Sequence, residues 1–138
     1  MPDSALNKAP FSAASAIVLG FDFGEVRIGI ATGNRITGSA NPLTTVTGKD
    51  NATKFARIDA LIKEWAPATL VVGRPLHPDG NAHEMTARCE RFSRQLHGRS
   101  GLPVALVDER YSSAVTSNDA EAAAEILQQY LSAESRKA

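Results

Sequence analysis

The residues of this chain most able to do chemistry are carboxylates in apolar surroundings. Asp22 interrupts the run Ile17-Val-Leu-Gly-Phe-Asp-Phe23, where an unpaired charge costs several kcal/mol unless a cation or good donors compensate it. A metal ion is the simplest compensator, and the plainer reading is a carboxylate accepting N–H bonds from the turn at Gly24. A second acidic pair, Asp108-Glu109, follows the apolar run Pro103-Val-Ala-Leu-Val107. Strand alternation sends these two side chains to opposite faces, so one of them can meet Asp22. Periodicity alone leaves the choice open. Asp119 is the third candidate. Ala123, Ile126 and Tyr130 follow it at four, seven and eleven residues, which sets it at the head of a buried helix face. The bland alternative is an acid that complements the helix dipole, the most that Glu121 and Glu125 can do.

Three carboxylates with no Cys/His spacing for zinc suit hard, oxygen-preferring ions, Mg2+ or Mn2+. Two such ions roughly 3.5 to 4 Å apart clamp the attacking and leaving oxygens of an in-line phosphoryl displacement. The implied reaction is phosphodiester hydrolysis. Arg74, His77 and Arg110 flank the acids on loops; the two arginines are candidates to hold phosphate oxygens, and His77 reads as a solvated loop residue. Arg88, Arg91 and Arg94 recur every third residue, a candidate basic strip for a phosphate backbone, but with Glu84 and Glu90 beside them a solvated outer face is the preferred reading. Trp65 falls on an apolar stripe and reads as core. No aromatic series along the sequence suggests base stacking.

The elements that must position the acids are legible from period. Ile17–Phe23 reads as a strand covered on both faces, and Val26–Thr32 as its antiparallel hairpin partner. Ile36 to Val46, broken by Gly38 and Pro42, reads as a third strand toward a sheet edge. Phe55, Ile58, Leu61, Ile62 and Trp65 then recur at helical spacing from Asn51 to Ala66, with Pro67 as the stop. Thr69–Gly73 is a short buried strand, Arg74–Gly80 a loop, and about Asn81 to His97 a helix with Met85, Cys89, Phe92 and Leu96 inward. Pro103–Val107 is a strand, and Ser117 or Asn118 caps a last helix. The order β-β-β-α-β-α-β-α predicts an α/β domain, with a three-stranded meander joined to two parallel strands. That order matches the ribonuclease H-like architecture. Asp22 and the Asp108-Glu109 pair would then lie at the carboxyl ends of parallel strands, where such sheets place their ligands.

Composition bounds the rest. With 138 residues, 43% hydrophobic and 22% charged, the chain makes one domain rather than two lobes. The expected division is a flexible tail over residues 1–15, a single domain over 16–133 and a second tail over 134–138. Lys+Arg and Asp+Glu both number 15, so a nucleic-acid partner has to be argued from a local site rather than from bulk charge. The single cysteine, Cys89, excludes a disulfide framework and fits a reducing compartment. No apolar run approaches the ~20 residues of a membrane span, and the start has no hydrophobic block of a secretion signal. A cytoplasmic chain without a membrane partner is expected.

Several blocks together resemble the YqgF family: Phe21-Asp-Phe-Gly24 with Arg27-Ile-Gly-Ile-Ala31, Arg35-Ile-Thr-Gly38 with Pro42-Leu43, Val72-Gly-Arg-Pro-Leu76 with Asp79-Gly80, and Asp108-Glu-Arg-Tyr-Ser112. The resemblance covers roughly Ile17 to Ser132. It implies a nuclease of precursor 16S rRNA, similar in fold to Holliday junction resolvases of the RuvC type, working on precursor rRNA or branched DNA in or near pre-ribosomal particles, as a monomer or weak homodimer. It places the family's acidic triad, the catalytic and metal-binding residues, on Asp22, Glu109 and Asp119. The chain departs from the family pattern between Glu109 and Asp119, where positions 110–118 replace a longer segment with an extra helix. A nine-residue bridge still spans ~30 Å when extended. Two other classes compete. A strand ending Asp-x-Gly also resembles the phosphate loop of actin-like ATPases, but those enzymes close two lobes over a nucleotide and this chain supplies one. A catalytically silent binding module is the other alternative, and metal binding without cleavage would distinguish it.

Overall fold

The computed structural model describes residues 16–24, 26–75, 79, 81, 85–109 and 119–137, with the backbone alone at 109 and 135–137. Five strands, β1 (Ile17–Phe23), β2 (Arg27–Asn34), β3 (Ser39–Thr47), β4 (Thr69–Pro75) and β5 (Val104–Glu109), form one sheet in the order β3-β2-β1-β4-β5. β1, β2 and β3 are antiparallel, while β4 and β5 run parallel to β1. The helices are α1 (Asn51–Trp65), α2 (Thr86–Ser100) and α3 (Asp119–Lys137). This is the expected mixed sheet in the expected order. Among the described residues no helix is long and apolar enough to cross a membrane.

The two faces of the sheet are covered differently because their residues differ in size. On one face Leu19, Phe21, Ile28, Ile30, Leu70 and Val72 meet Phe55 and Ile58 of α1 and Cys89, Phe92 and Leu96 of α2, all buried. Each fully buried side chain of this size contributes about 1.5–3 kcal/mol. On the other face Val18, Ala31 and Val71 meet Ala123, Ile126, Leu127 and Leu131 of α3. Small residues let α3 sit close to the strands. A Cβ at Gly20 would lie 2.9 Å from Leu127 Cβ, which a well-packed interface does not accommodate without movement.

Capping explains α1. The Asp50 carboxylate accepts the Thr53 N–H at 2.9 Å, and Ala66 closes the helix in the left-handed region at φ 46° before Pro67. Several boundaries differ from the sequence reading: β2 runs Arg27–Asn34 rather than Val26–Thr32, and β4 continues through Arg74 and Pro75, expected to begin a loop, because they pair with Asp108 and Glu109. β3 begins at Ser39 rather than Ile36, because Asn34 Oδ1 accepts the N–H groups of Ile36 and Thr37 and turns the chain through Gly38 at φ 72°. The described part of α2 starts at Thr86, later than Asn81, and ends at Ser100, where Gly101 supplies the left-handed cap. β5 runs through Glu109 instead of stopping at Val107, since Asp108 and Glu109 pair with Arg74 and Pro75 of β4. The last helix continues through Lys137, into the residues 134–138 expected as a tail. There the Arg35 guanidinium donates to Glu134 at 3.1 Å, to Tyr130 Oη at 3.1 Å and to Thr69 Oγ1 at 3.1 Å. Residues 1–15 lie outside the described residues.

Candidate active site

Asp22 stands one residue from the carboxyl end of β1, directly across the ladder from Gly29 of β2. Above Gly29 is the first residue of α3, so close that a Cβ at position 29 would collide with the Asp119 carbonyl oxygen. Gly29 is therefore the reason a helix tip can lie on the sheet beside Asp22. Two carboxylates far apart in sequence are brought together, and the short bridge over 110–118 does not prevent it. Among the described residues no donor or cation compensates the Asp22 carboxylate. Burial pushes its pKa up to about 6, and the neighbouring Asp119 charge adds to the rise. Asp119 has a partner of its own: Arg27 Nε donates to Asp119 Oδ2 at 2.8 Å. The Arg27 side chain is 62% exposed, so this pair is a weak and displaceable one.

The structure separates the members of the Asp108-Glu109 pair. Arg74 Nε donates to Asp108 Oδ1 at 2.7 Å and Arg74 Nη1 to Glu90 Oε2 of α2 at 2.8 Å. Asp108 thus belongs to the face covered by α1 and α2, away from Asp22. Arg74, expected to hold phosphate, is drawn into the same ion pairs, which hold its guanidinium on that face. Position 109 lies at the carboxyl end of β5, paired in register with Pro75. Arg110 and His77 fall outside the described residues, as do the expected cap positions Ser117 and Asn118. Among the described residues no three His, Cys, Asp or Glu side chains gather closely enough to hold a metal ion.

Arg27 is the site residue that the sequence reading missed. Its only signal is position: it opens β2 two residues before Gly29, so alternation puts both on the face where α3 begins. The Trp65 side chain packs against the core as expected.

A family model described as RuvX, Holliday junction resolvase, matches residues 16–133. The chain belongs to the RuvX family. The resemblance to the YqgF family seen in the sequence is this same kinship. Relatives from Burkholderia ambifaria strain MC40-6 and Paraburkholderia xenovorans strain LB400, both bearing the name of candidate pre-16S rRNA nucleases, are 48% and 49% identical to it. The alignments span 87% of this chain and 91% of the first relative, and 84% and 88% for the second. RuvX membership makes the chain a nuclease, a hydrolase of phosphodiester bonds. Among solved structures, Thermus thermophilus RuvC in complex with a Holliday junction superposes with a TM-score of 0.57 at 15% identity, over 86% of this chain and 95% of that one. RuvC from the same organism in a second structure gives 0.54 at 14% identity, over 86% and 96%. The RuvX chain therefore has the RuvC-like, ribonuclease H-like fold that its element order predicted.

Proposed function

We propose that this RuvX chain is a divalent-metal-dependent nuclease that trims the 5′ end of precursor 16S rRNA, with Asp22, Glu109 and Asp119 as its metal-binding catalytic acids. The observation that carries this reading is the Asp22 carboxylate: half-buried, without a compensating donor among the described residues, and beside a second carboxylate. Such a cluster is destabilising by itself and becomes favourable when a small cation neutralises it. The donor set is all oxygen, which suits Mg2+ or Mn2+ over softer ions. Glu109 is the third acid because Asp108 is turned to the other face, and strand parity gives position 109 the same side as Val107, against α3.

The bound ions would lower the pKa of a water nucleophile and stabilise charge on the phosphate. The chain's own residues do the rest. Gly29 admits the tip of α3, so Asp22 and Asp119 are positioned by backbone packing before substrate arrives. Arg27 holds Asp119 toward the site and shields its charge when no ion is present. Arg110, next to Glu109 in the sequence, is the proposed holder of a phosphate oxygen of the RNA. The partial burial of Asp22 weakens the screening of its charge by bulk water. The proposed setting is the cytoplasm, on precursor rRNA within pre-ribosomal particles, where the buried thiol of Cys89 stays reduced.

The family description and the RuvC fold favour a second substrate, branched DNA. One experiment compares the two: the purified chain is incubated with precursor 16S rRNA ends and with four-way DNA junctions, in Mg2+ and in EDTA. Mg2+-dependent cleavage of the rRNA end, lost in Asp22→Asn, is the expected result. Cleavage of the junction alone transfers the reading to a resolvase, and metal binding without cleavage of either makes the chain a silent module.

A further inference from the structure

The face of the sheet opposite the acids carries a cleft of about 390 Å³ between α1 and α2, within the size range of small-ligand sites. Its floor is apolar and aromatic. Phe23 and Phe92 lie with ring centroids 4.7 Å apart, and Phe55 follows 5.8 Å from Phe92. Phe92 and Phe55 are buried, whereas Phe23 is half-exposed at the cleft. Arg88 and Arg91 stand exposed at its rim, with Lys54 buried beneath them. The amides of Asn51 and Gln95 supply both hydrogen-bond donors and acceptors. A second hollow of about 350 Å³ shares Asn51, Phe55 and Gln95 and extends the groove to Arg99.

In a chain of net charge zero, a cleft that combines aromatic floor, cationic rim and amide groups has the chemistry of a nucleotide: a base for the apolar floor and amides, a phosphate for the guanidinium groups. Its location fits the same occupant. Phe23 directly follows Asp22, and alternation sends the two to opposite faces of the sheet at one strand end. A polynucleotide turning around the carboxyl end of β1 would pass from the acids to the cleft. We propose that the α1–α2 cleft holds one unpaired nucleotide of the substrate strand, next to the one being cleaved, with Arg91 on its phosphate and Phe23 against its base. This rests on the nuclease reading but is carried by different residues.

The test uses the full chain in EDTA, so that cleavage and metal binding play no part. Titration with adenosine 5′-monophosphate should shift the amide resonances of Asn51, Arg91 and Gln95, and a short single-stranded RNA, followed by fluorescence anisotropy, should bind about tenfold more weakly to Arg91→Glu. Arg94→Glu makes the same charge change on the same helix, outside the cleft, and should leave RNA affinity essentially as in the wild type. Equal weakening by the two variants, displacement of the RNA by polyglutamate as readily as by competitor RNA, or nucleotide shifts that avoid the cleft would each overturn the proposal. The nuclease reading is judged separately: a wild type that cleaves nothing yet shows the cleft shifts loses its catalytic role and keeps the nucleotide site, while a cleaving enzyme whose cleft ignores nucleotide does the reverse.

Discussion

At the carboxyl ends of its parallel strands the sheet treats two aspartates in opposite ways. On the α1–α2 face, Asp108 is neutralised by Arg74, which also reaches Glu90. On the α3 face, Asp22 is left without a described counter-charge and is pressed beside Asp119. The first arrangement is what a carboxylate needs if it is to hold a fold together. The second spends stability on a charge cluster, and a fold retains such a cluster where chemistry needs it. One strand step, from Asp108 to position 109 or from Asp22 to Phe23, separates the two regimes.

Removing the acids of the α3 face should break this contrast most severely. Asp22→Asn and Glu109→Gln are each expected to lose at least ~100-fold in Mg2+-dependent cleavage rate while circular dichroism shows an intact fold. Asp119→Asn should follow them, because Gly29 brings the tip of α3 to Asp22. Full activity in Asp119→Asn would reduce the site to two carboxylates.

Next in size is the pH dependence of stability. The Asp22 carboxyl titrates at about 6 in the folded chain and at about 4 when unfolded. The folded state therefore holds the proton more tightly, so stability should be greatest below about pH 4 for this group and fall by roughly 2–3 kcal/mol as pH rises through 6. Denaturant unfolding across this range should show the fall in the wild type and not in Asp22→Asn, which is then the more stable protein at neutral pH. Added Mg2+ at pH 7 should raise the melting temperature of the wild type and leave that of the variant nearly unchanged.

Gly29→Ala sharpens the comparison from the side of packing. The added methyl meets the Asp119 carbonyl, so the variant should lose about 1–3 kcal/mol of stability and displace the tip of α3, with a fall in cleavage out of proportion to its loss of folded protein. The smallest effects belong to the compensated face: Asp108→Asn should cost under about 1 kcal/mol in unfolding free energy and leave the cleavage rate close to wild type. A larger rate loss at Asp108 than at Glu109 would exchange their roles.

The parts of this arrangement written in local patterns were readable in the chain. Asp22 stood out as a charge in an apolar strand, and α1 showed both its stripe and its stop at Pro67. Asp119 was placed on a buried helix face by spacing alone. What escaped depends on partners distant in sequence. Arg27 becomes a site residue only through the β1–β2 pairing and the descent of α3 onto Gly29. The extension of β5 to Glu109 comes from β4, and that of α3 to Lys137 accompanies the Arg35–Glu134 pair. The aromatic floor of the cleft is assembled from β1, α1 and α2, one ring from each, so no linear run of aromatics announces it.

The hydrogen bonds of Arg35 to Tyr130 and Glu134 have a mechanical reach beyond their own energy. They fasten the far end of α3 to the end of β2, about 22 Å along the axis from Asp119, while Gly29 seats the near end. The helix is a beam bedded along its middle by Ala123, Ile126, Leu127 and Leu131 and fastened at both ends, so the steadiness of the acid at its tip depends in part on the fastening at its heel. Ending the chain after Ala133 would leave Asp22, Glu109 and Asp119 in place and strip Glu134 from that heel, leaving Tyr130 as its remaining hydrogen-bond partner for Arg35. Cleavage should then weaken at temperatures where the sheet is still fully folded.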